Sequence, residues 1–417
     1  MSPTDDQILA AVAAERPAME ELLERLVEAP TLLGDEAAGQ AVMREAFEGL
    51  GLTPVEVPLD AGALRSHPGA APFSWDVSGK ANVVARWGEP GGGRSLVLNG
   101  HIDVVSPEPV SMWASPPFAP RRDGDWLYGR GAGDMKAGLA AVVGAVRALK
   151  ALGAEPGAPV DLQSVVEEEC SGNGALACVL AGAPADAVIV TEPTAGAIWT
   201  SQVGVLWFQL LVAGRPAHAG DAPQGENAIE ATFPVVRALR ELERELNAEP
   251  PAPYDAYSHP INLNVGMIRG GDWPSTVAGE CVTHCRLALY PDQEVDELRR
   301  RVEETVAGAA AVLDGFRVEV AYDGFACRGY TLDSHAPLVA AVGEAAERAN
   351  GGRAPVLAST ATTDARQFQL YGDTPAVCFG PLAEGIHGID ERVHLPSMVD
   401  TARVLGLFIR DWCGLST

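Results

Sequence analysis

The chain has 417 residues, 47% of them hydrophobic and 21% charged, which is enough to bury large cores and to form two domains. Thirty basic residues stand against 56 acidic ones; the net charge of −26 argues against nucleic acid or an anionic membrane as partner. Seven scattered cysteines, an odd count, argue against a disulfide framework and fit reduced thiols.

The N-terminal stretch MSPTDDQILAAVAAERPAMEELLERL is acidic and amphipathic, without the basic start and apolar core of a signal peptide. A cytoplasmic location is the expectation. Residues 5–28 predict one helix, capped by Thr4 or Asp5, with Ile8, Val12, Met19, Leu22, Leu23 and Val27 apolar. A second helix is expected over 37–50 and a strand over 53–57. Residues 59–80 read as loop. Strands cover 81–87 and 96–99, the latter followed by His101 and Asp103. The stretch 106–125, with five prolines, reads as an irregular wall. The Gly-rich turn GRGAGDMK then opens a helix over 135–152. A strand over 160–166 runs into Glu167, Glu168 and Glu169, a short helix follows over 174–180, and a strand over 187–190 ends at Glu192. Three strands ending in metal-competent side chains, with helices between them, predict an open α/β sheet with its site at the strands' carboxyl ends.

From about Gly196 the pattern changes. A long strand over 197–212, a helix over 226–246, strands over 261–268 and 277–289 and a helix over 294–312 predict an α+β layer. A strand over 316–322 follows. Helices over 337–349, 363–371 and 398–412, with a strand over 376–379, return to α/β character. The expected organisation is a discontinuous catalytic domain over 1–195 and 316–417, interrupted by an inserted α+β domain over 196–315.

Residues two apart on an extended chain share a side, so His101 can hold a metal while Asp103 accepts a hydrogen bond from its other ring nitrogen. Together with Asp134, Glu168, Glu169, Glu192 and His387, these residues form a donor set suited to two divalent ions of the zinc type. Asp134, on a short stem after the glycine turn, is the best bridge. Two such ions polarise a carbonyl, and a spare carboxylate moves the proton from water to the leaving nitrogen. Each motif alone also has a plainer reading: a structural His-x-Asp, a solvated acid triplet, a strand end at Glu192. GRGAGDMK lacks the Gly-Lys-Ser/Thr ending of a phosphate-binding loop. Cys281, His284 and Cys285 lack the second cysteine pair of a zinc knuckle.

The stretches GHIDVV, GRGAGDMKAGLAA, EEECSGNGA, VTEPT and IHGIDE span almost the whole chain. With them the sequence resembles the dinuclear-zinc amidohydrolases and peptidases of the M20 type, among them acetylornithine deacetylase and succinyl-diaminopimelate desuccinylase. The resemblance implies a zinc-peptidase-like catalytic domain with a mixed sheet and flanking helices, and makes the insertion a lid and dimerisation domain. It implies that His101 and Glu192 bind one metal and His387 and Glu169 the other, with Asp134 bridging. Asp103 would orient His101, and Glu168 would act as general base and then acid. A cis peptide at Asp134-Met135 is implied too. IHGIDE favours His387 over His394, and alignment on SGNGA favours the pair Glu168-Glu169 over Glu167.

The implied cofactors are two zinc ions, with cobalt or manganese also tolerated by these ligands. His218, in GRPAHAGDAPQGENAIEA, matches a lid histidine that stabilises the oxyanion, often in the partner subunit. Arg286, in THCRLAL, and Arg366, in ATTDARQF, match positions that grip substrate carboxylates. GGDWPSTVAGE departs from the family pattern and leaves the acyl preference open. The expected function is metal-dependent hydrolysis of N-acyl amino acids by a homodimer. The alternatives are a dipeptidase or carboxypeptidase of the same fold, or a non-catalytic binding protein.

Overall fold

The computed structural model describes residues 2–182 and 184–416; Met1, Ala183 and Thr417, all in the range expected for the first domain, lie outside the described residues. Leu96–His101 is buried along its whole length and sits in the middle of a nine-stranded sheet. Burial of every residue in turn marks a strand covered on both faces. Across the sheet the order is Val55–Pro58, Ala81–Trp87, Val160–Val165, Leu96–His101, Val188–Val190, Ala376–Cys378, Ile198–Gln202 and Tyr330–Thr331; Val356–Ser359 also pairs with Ile198–Gln202. The four strands from Val160–Val165 to Ala376–Cys378 are parallel, so their carboxyl ends share one edge. The outer pairings with Ala81–Trp87 and Tyr330–Thr331 are antiparallel, making the sheet mixed.

The helix Ala137–Ala151 is buried over nearly its whole surface. It packs against the sheet on one side and against Leu395–Cys413 and the two N-terminal helices on the other. Close approach needs glycine at its first turn: a Cβ on Gly138 would stand 2.1 Å from the Thr191 carbonyl oxygen. The single N-terminal helix expected over 5–28 is two helices, Asp5–Ala14 and Arg16–Glu28. Pro17 explains the break, because it lacks an N–H and its ring clashes with the carbonyl four residues back.

A second sheet, wholly antiparallel, runs Leu263–Gly270, Glu280–Leu289, Gly204–Ala213 and Arg317–Ala321, with Ala326–Cys327 also on Gly204–Ala213. Leu206, Phe208 and Leu210 form its core with Val235, Leu239 and Leu242 of the helix Ala228–Leu246, and Val302 and Val306 of Val295–Ala310. The alternate residues Val205, Trp207 and Gln209 face the other way, as period-2 geometry requires.

The strand expected over 197–212 is therefore two strands in two sheets, which part at Val203. Sheet membership changes back between Cys327 and Tyr330. Pairing thus shifts the boundaries drawn at 195/196 and 315/316: Ile198–Gln202 belongs to the first sheet and Arg317–Ala321 to the second. The two crossings touch, since a Cβ on Gly204 would lie 2.5 Å from the Cys327 oxygen and one on Gly329 2.3 Å from the Gln202 oxygen. A small third sheet, Ala383–Glu384, Arg392–His394, Trp126–Tyr128 and Arg121–Asp123, carries the His387 loop alongside the Gly-rich turn. No helix among the described residues is long and apolar enough to cross a membrane.

Candidate metal centre

At the carboxyl edge of the parallel strands, two triads bring donor atoms within 4.8 Å of one another: His101, Asp134 and Glu192, and Asp134, Glu169 and His387. Asp134 belongs to both. Its Oδ1 lies 3.2 Å from His101 Nε2 and its Oδ2 lies 3.3 Å from His387 Nε2. His387 Nε2 is also 3.0 Å from Glu169 Oε2, and His101 Nε2 is 4.0 Å from Glu192 Oε2. The Asp134-Met135 peptide is cis.

His101 Nδ1 donates to the backbone carbonyl of Asp103 at 2.9 Å. A carbonyl only accepts, so Nδ1 carries a proton and Nε2 is the ring atom turned to the centre. The Asp103 carboxylate does not make this bond as the sequence suggested; its Oδ1 is 3.7 Å from Nδ1. It accepts instead the backbone N–H groups of Glu168 and Glu169, each at 3.1 Å. The backbone carbonyl of Asp103 satisfies the ring, and its carboxylate is left to receive the neighbouring loop.

Burial and crowding set the charges. Burial lifts the Glu168, Glu169 and Glu192 carboxyls above their usual range, and neighbouring carboxylates add to the rise. His387 is pushed up to about 11: burial acts against its charge, but Glu169 and Asp134 outweigh it. His101 rises well above its ordinary value for the same reason, through Asp134, Glu192, Asp103 and Glu168. Asp134, although buried, is held low by the two imidazoles. Clustered carboxylates that drive two histidines to hold protons form a donor set that divalent cations would satisfy, and nitrogen with carboxylate oxygen suits zinc-type ions.

Glu167 takes no part in the cluster. It is fully buried, at φ 65°, and its carboxylate accepts from Trp75 Nε1 at 2.7 Å, Lys80 Nζ at 2.8 Å and Ser171 Oγ at 3.0 Å. These bonds anchor the turn that presents Glu168 and Glu169. His394 packs against Trp126, with ring centroids 5.1 Å apart and planes tilted at 54°. Cys281 and Cys285 are buried on one face of Glu280–Leu289 and His284 lies on the alternate face, so the three do not converge.

A residue the sequence reading passed over is Glu391, the last of IHGIDE. It is fully buried, accepts the backbone N–H groups of Gly131, Gly133 and Asp134 at 3.1, 2.9 and 3.0 Å, and pairs with Arg130. The motif containing it was the available signal.

A cavity of about 660 Å³ opens over the cluster, between the metal-competent residues and the bare face of the second sheet. Arg286 lines it, and burial draws its guanidinium below the usual value. Arg366 does not line it. That side chain is 1% exposed, and its Nη2 donates to the Ser171 carbonyl at 2.8 Å. The expected substrate contact through Arg366 is therefore replaced by a packing role: the helix Ala365–Tyr371 turns this face inward. His218 is exposed and also lies outside the cavity of its own chain; its Nδ1 accepts the Gly220 N–H at 3.0 Å.

The profile of the family described as Peptidase family M20/M25/M40 matches residues 97–411. The N-formyl-4-amino-5-aminomethyl-2-methylpyrimidine deformylase of Halalkalibacterium halodurans is 28% identical over 344 residues, covering 77% of this chain and 80% of that protein. The succinyl-diaminopimelate desuccinylase of Dinoroseobacter shibae is 28% identical over 382 residues, covering 86% and 96%. Among solved structures, the dipeptidase Dug1p of Saccharomyces cerevisiae superposes with a TM-score of 0.83 at 15% identity, covering 99% of each chain; this likeness shows the fold.

Proposed function

Since the chain belongs to peptidase family M20/M25/M40, we propose that it hydrolyses the amide bond of N-acyl amino acids with two divalent ions, zinc first, bound by His101, Asp134, Glu169, Glu192 and His387. The observation that carries this reading is Asp134, which turns one carboxylate oxygen to each histidine. Two ions bound there would polarise the scissile carbonyl and stabilise charge on its oxygen. Glu168 takes a proton from the attacking water and delivers it to the leaving nitrogen. Burial raises its pKa, which favours a carboxyl that holds the proton between the two transfers. Asp103 fixes the backbone of the acid pair. Arg286 receives the substrate carboxylate; among the described residues no acidic side chain forms an ion pair with it.

A homodimer through the second sheet completes the reading. Leu263–Gly270 is a free edge with Met267 and Ile268 each 50% exposed, and Trp273 nearby is 68% exposed. Unpaired edges with exposed apolar side chains invite pairing with a second chain. His218, exposed and away from its own cavity, would then serve the partner's site as an oxyanion donor. A cytoplasmic location fits the seven unpaired cysteines. A dipeptidase of the same fold is the second reading, favoured by the Dug1p likeness.

The test is elemental analysis with a hydrolysis panel of N-acetyl, N-succinyl and N-formyl amino acids and dipeptides. About two ions per chain and turnover that falls roughly 10²–10⁴-fold in Glu168→Gln with metal retained are expected. Absence of metal after reconstitution would overturn the ligand assignment.

A further inference from the structure

Beyond the reactive amide lies the question of what side group the cavity accepts, and the answer here rests on the amide-hydrolase reading. Cross-strand register fixes the cavity's far wall. Trp207, Arg286 and Asn264 stand opposite one another in one row, and Gln209, His284 and Met267 in the next. Phe325, 5% exposed, meets Trp207 edge-on, with centroids 5.8 Å apart and planes at 70°. The Arg366 guanidinium lies 5.1 Å from the Phe325 ring centroid and steadies that ring. The two rings form a stiff aromatic corner one strand away from Arg286.

The charges on this wall discriminate. Apart from the metal-competent cluster, the ionised side chains lining the cavity are Arg286 and Asp323. Asp323 is already held by Gln209 Nε2, at 2.9 Å to one oxygen and 2.7 Å to the other. Gln209 is neutral, so Asp323 keeps its charge, but it is exposed and solvent screens it, whereas the half-buried Arg286 stands directly opposite Trp207 and would repel a cationic side chain. An aromatic or large apolar group would find ring surface to pack against.

We propose that Trp207 and Phe325 form a side-group subsite that selects N-acyl amino acids with aromatic or large apolar side chains over those with cationic ones. The experiment compares kcat/KM of the metal-reconstituted enzyme on N-acetyl-phenylalanine, N-acetyl-leucine, N-acetylglycine and N-acetylornithine. Phenylalanine and leucine derivatives should exceed the glycine and ornithine derivatives roughly tenfold or more. In Trp207→Ala the phenylalanine-to-glycine ratio should collapse, mainly through KM, and Trp207→Phe should recover part of it. Equal or better use of N-acetylornithine, or a Trp207→Ala loss shared evenly by all substrates, overturns the subsite while leaving the hydrolase reading standing. No turnover on any amide overturns both.

Discussion

The carboxylate of Glu391 accepts the backbone N–H of Asp134 at 3.0 Å, across 257 residues of sequence. The loop that carries His387 is thereby stapled to the loop that carries Asp134, the residue the two triads share.

Glu391→Gln should weaken that staple, because an amide presents donors where three backbone N–H groups need an acceptor. Metal affinity should fall roughly 10–100-fold, as for other groups that hold ligands in place, read by competition with a chelator. Glu391→Ala should also destabilise the fold by about 3–5 kcal/mol, since Arg130 would be left buried and unpaired. Unchanged metal affinity in the glutamine variant would show that the Gly-rich turn holds its shape unaided.

Lys136 predicts a pH dependence of stability. Its amine is fully buried, donates to the Leu26 and Ala29 carbonyls at 2.8 and 2.9 Å, and is drawn down by burial to about 7 from 10.5. Between those two values the unfolded chain binds a proton that the folded chain does not. The slope of unfolding free energy with pH is then positive, so this group adds stability as pH rises through the window. Denaturant midpoints from pH 6.5 to 9.5 should show that gain in the wild type. Lys136→Met should lack it.

The proposed homodimer predicts an effect of mixing. Ile268→Glu on the free edge should shift sedimentation toward a monomer and lower activity with it. Glu168→Gln and His218→Ala, each nearly inactive alone, should recover part of the activity when combined and allowed to exchange subunits. No recovery in a demonstrably mixed dimer would confine His218 to its own chain.

The ligands were legible because strand and site share one grammar. An apolar run that stops at a polar residue marks the carboxyl end of a buried strand: His101 and Glu192 sit at or just past such a stop, while Glu169 lies in the turn that follows Val160–Val165. What stayed hidden depends on partners far along the chain. Residues 197–212 read as one strand whether they serve one sheet or two, and the local mark of the crossing at Val203 is the glycine that follows it, Gly204. Arg366 opens a helix that looks like any exposed turn until the Ser171 carbonyl is brought to it. The Asp103 carboxylate could satisfy a ring or a backbone equally well, and only the return of the Glu168 loop decides between them.

The paired crossings at Gly204 and Gly329 make the second sheet a parenthesis in the chain. It opens and closes at the same spot, so everything between could in principle be lifted out and Val203 joined to Tyr330 by a short bridge, without cutting any strand of the sheet that holds the metal-competent residues. Chemistry and recognition are then separable units of inheritance: one layer can keep its ligands unchanged while the other trades its wall, row by row, for a different substrate.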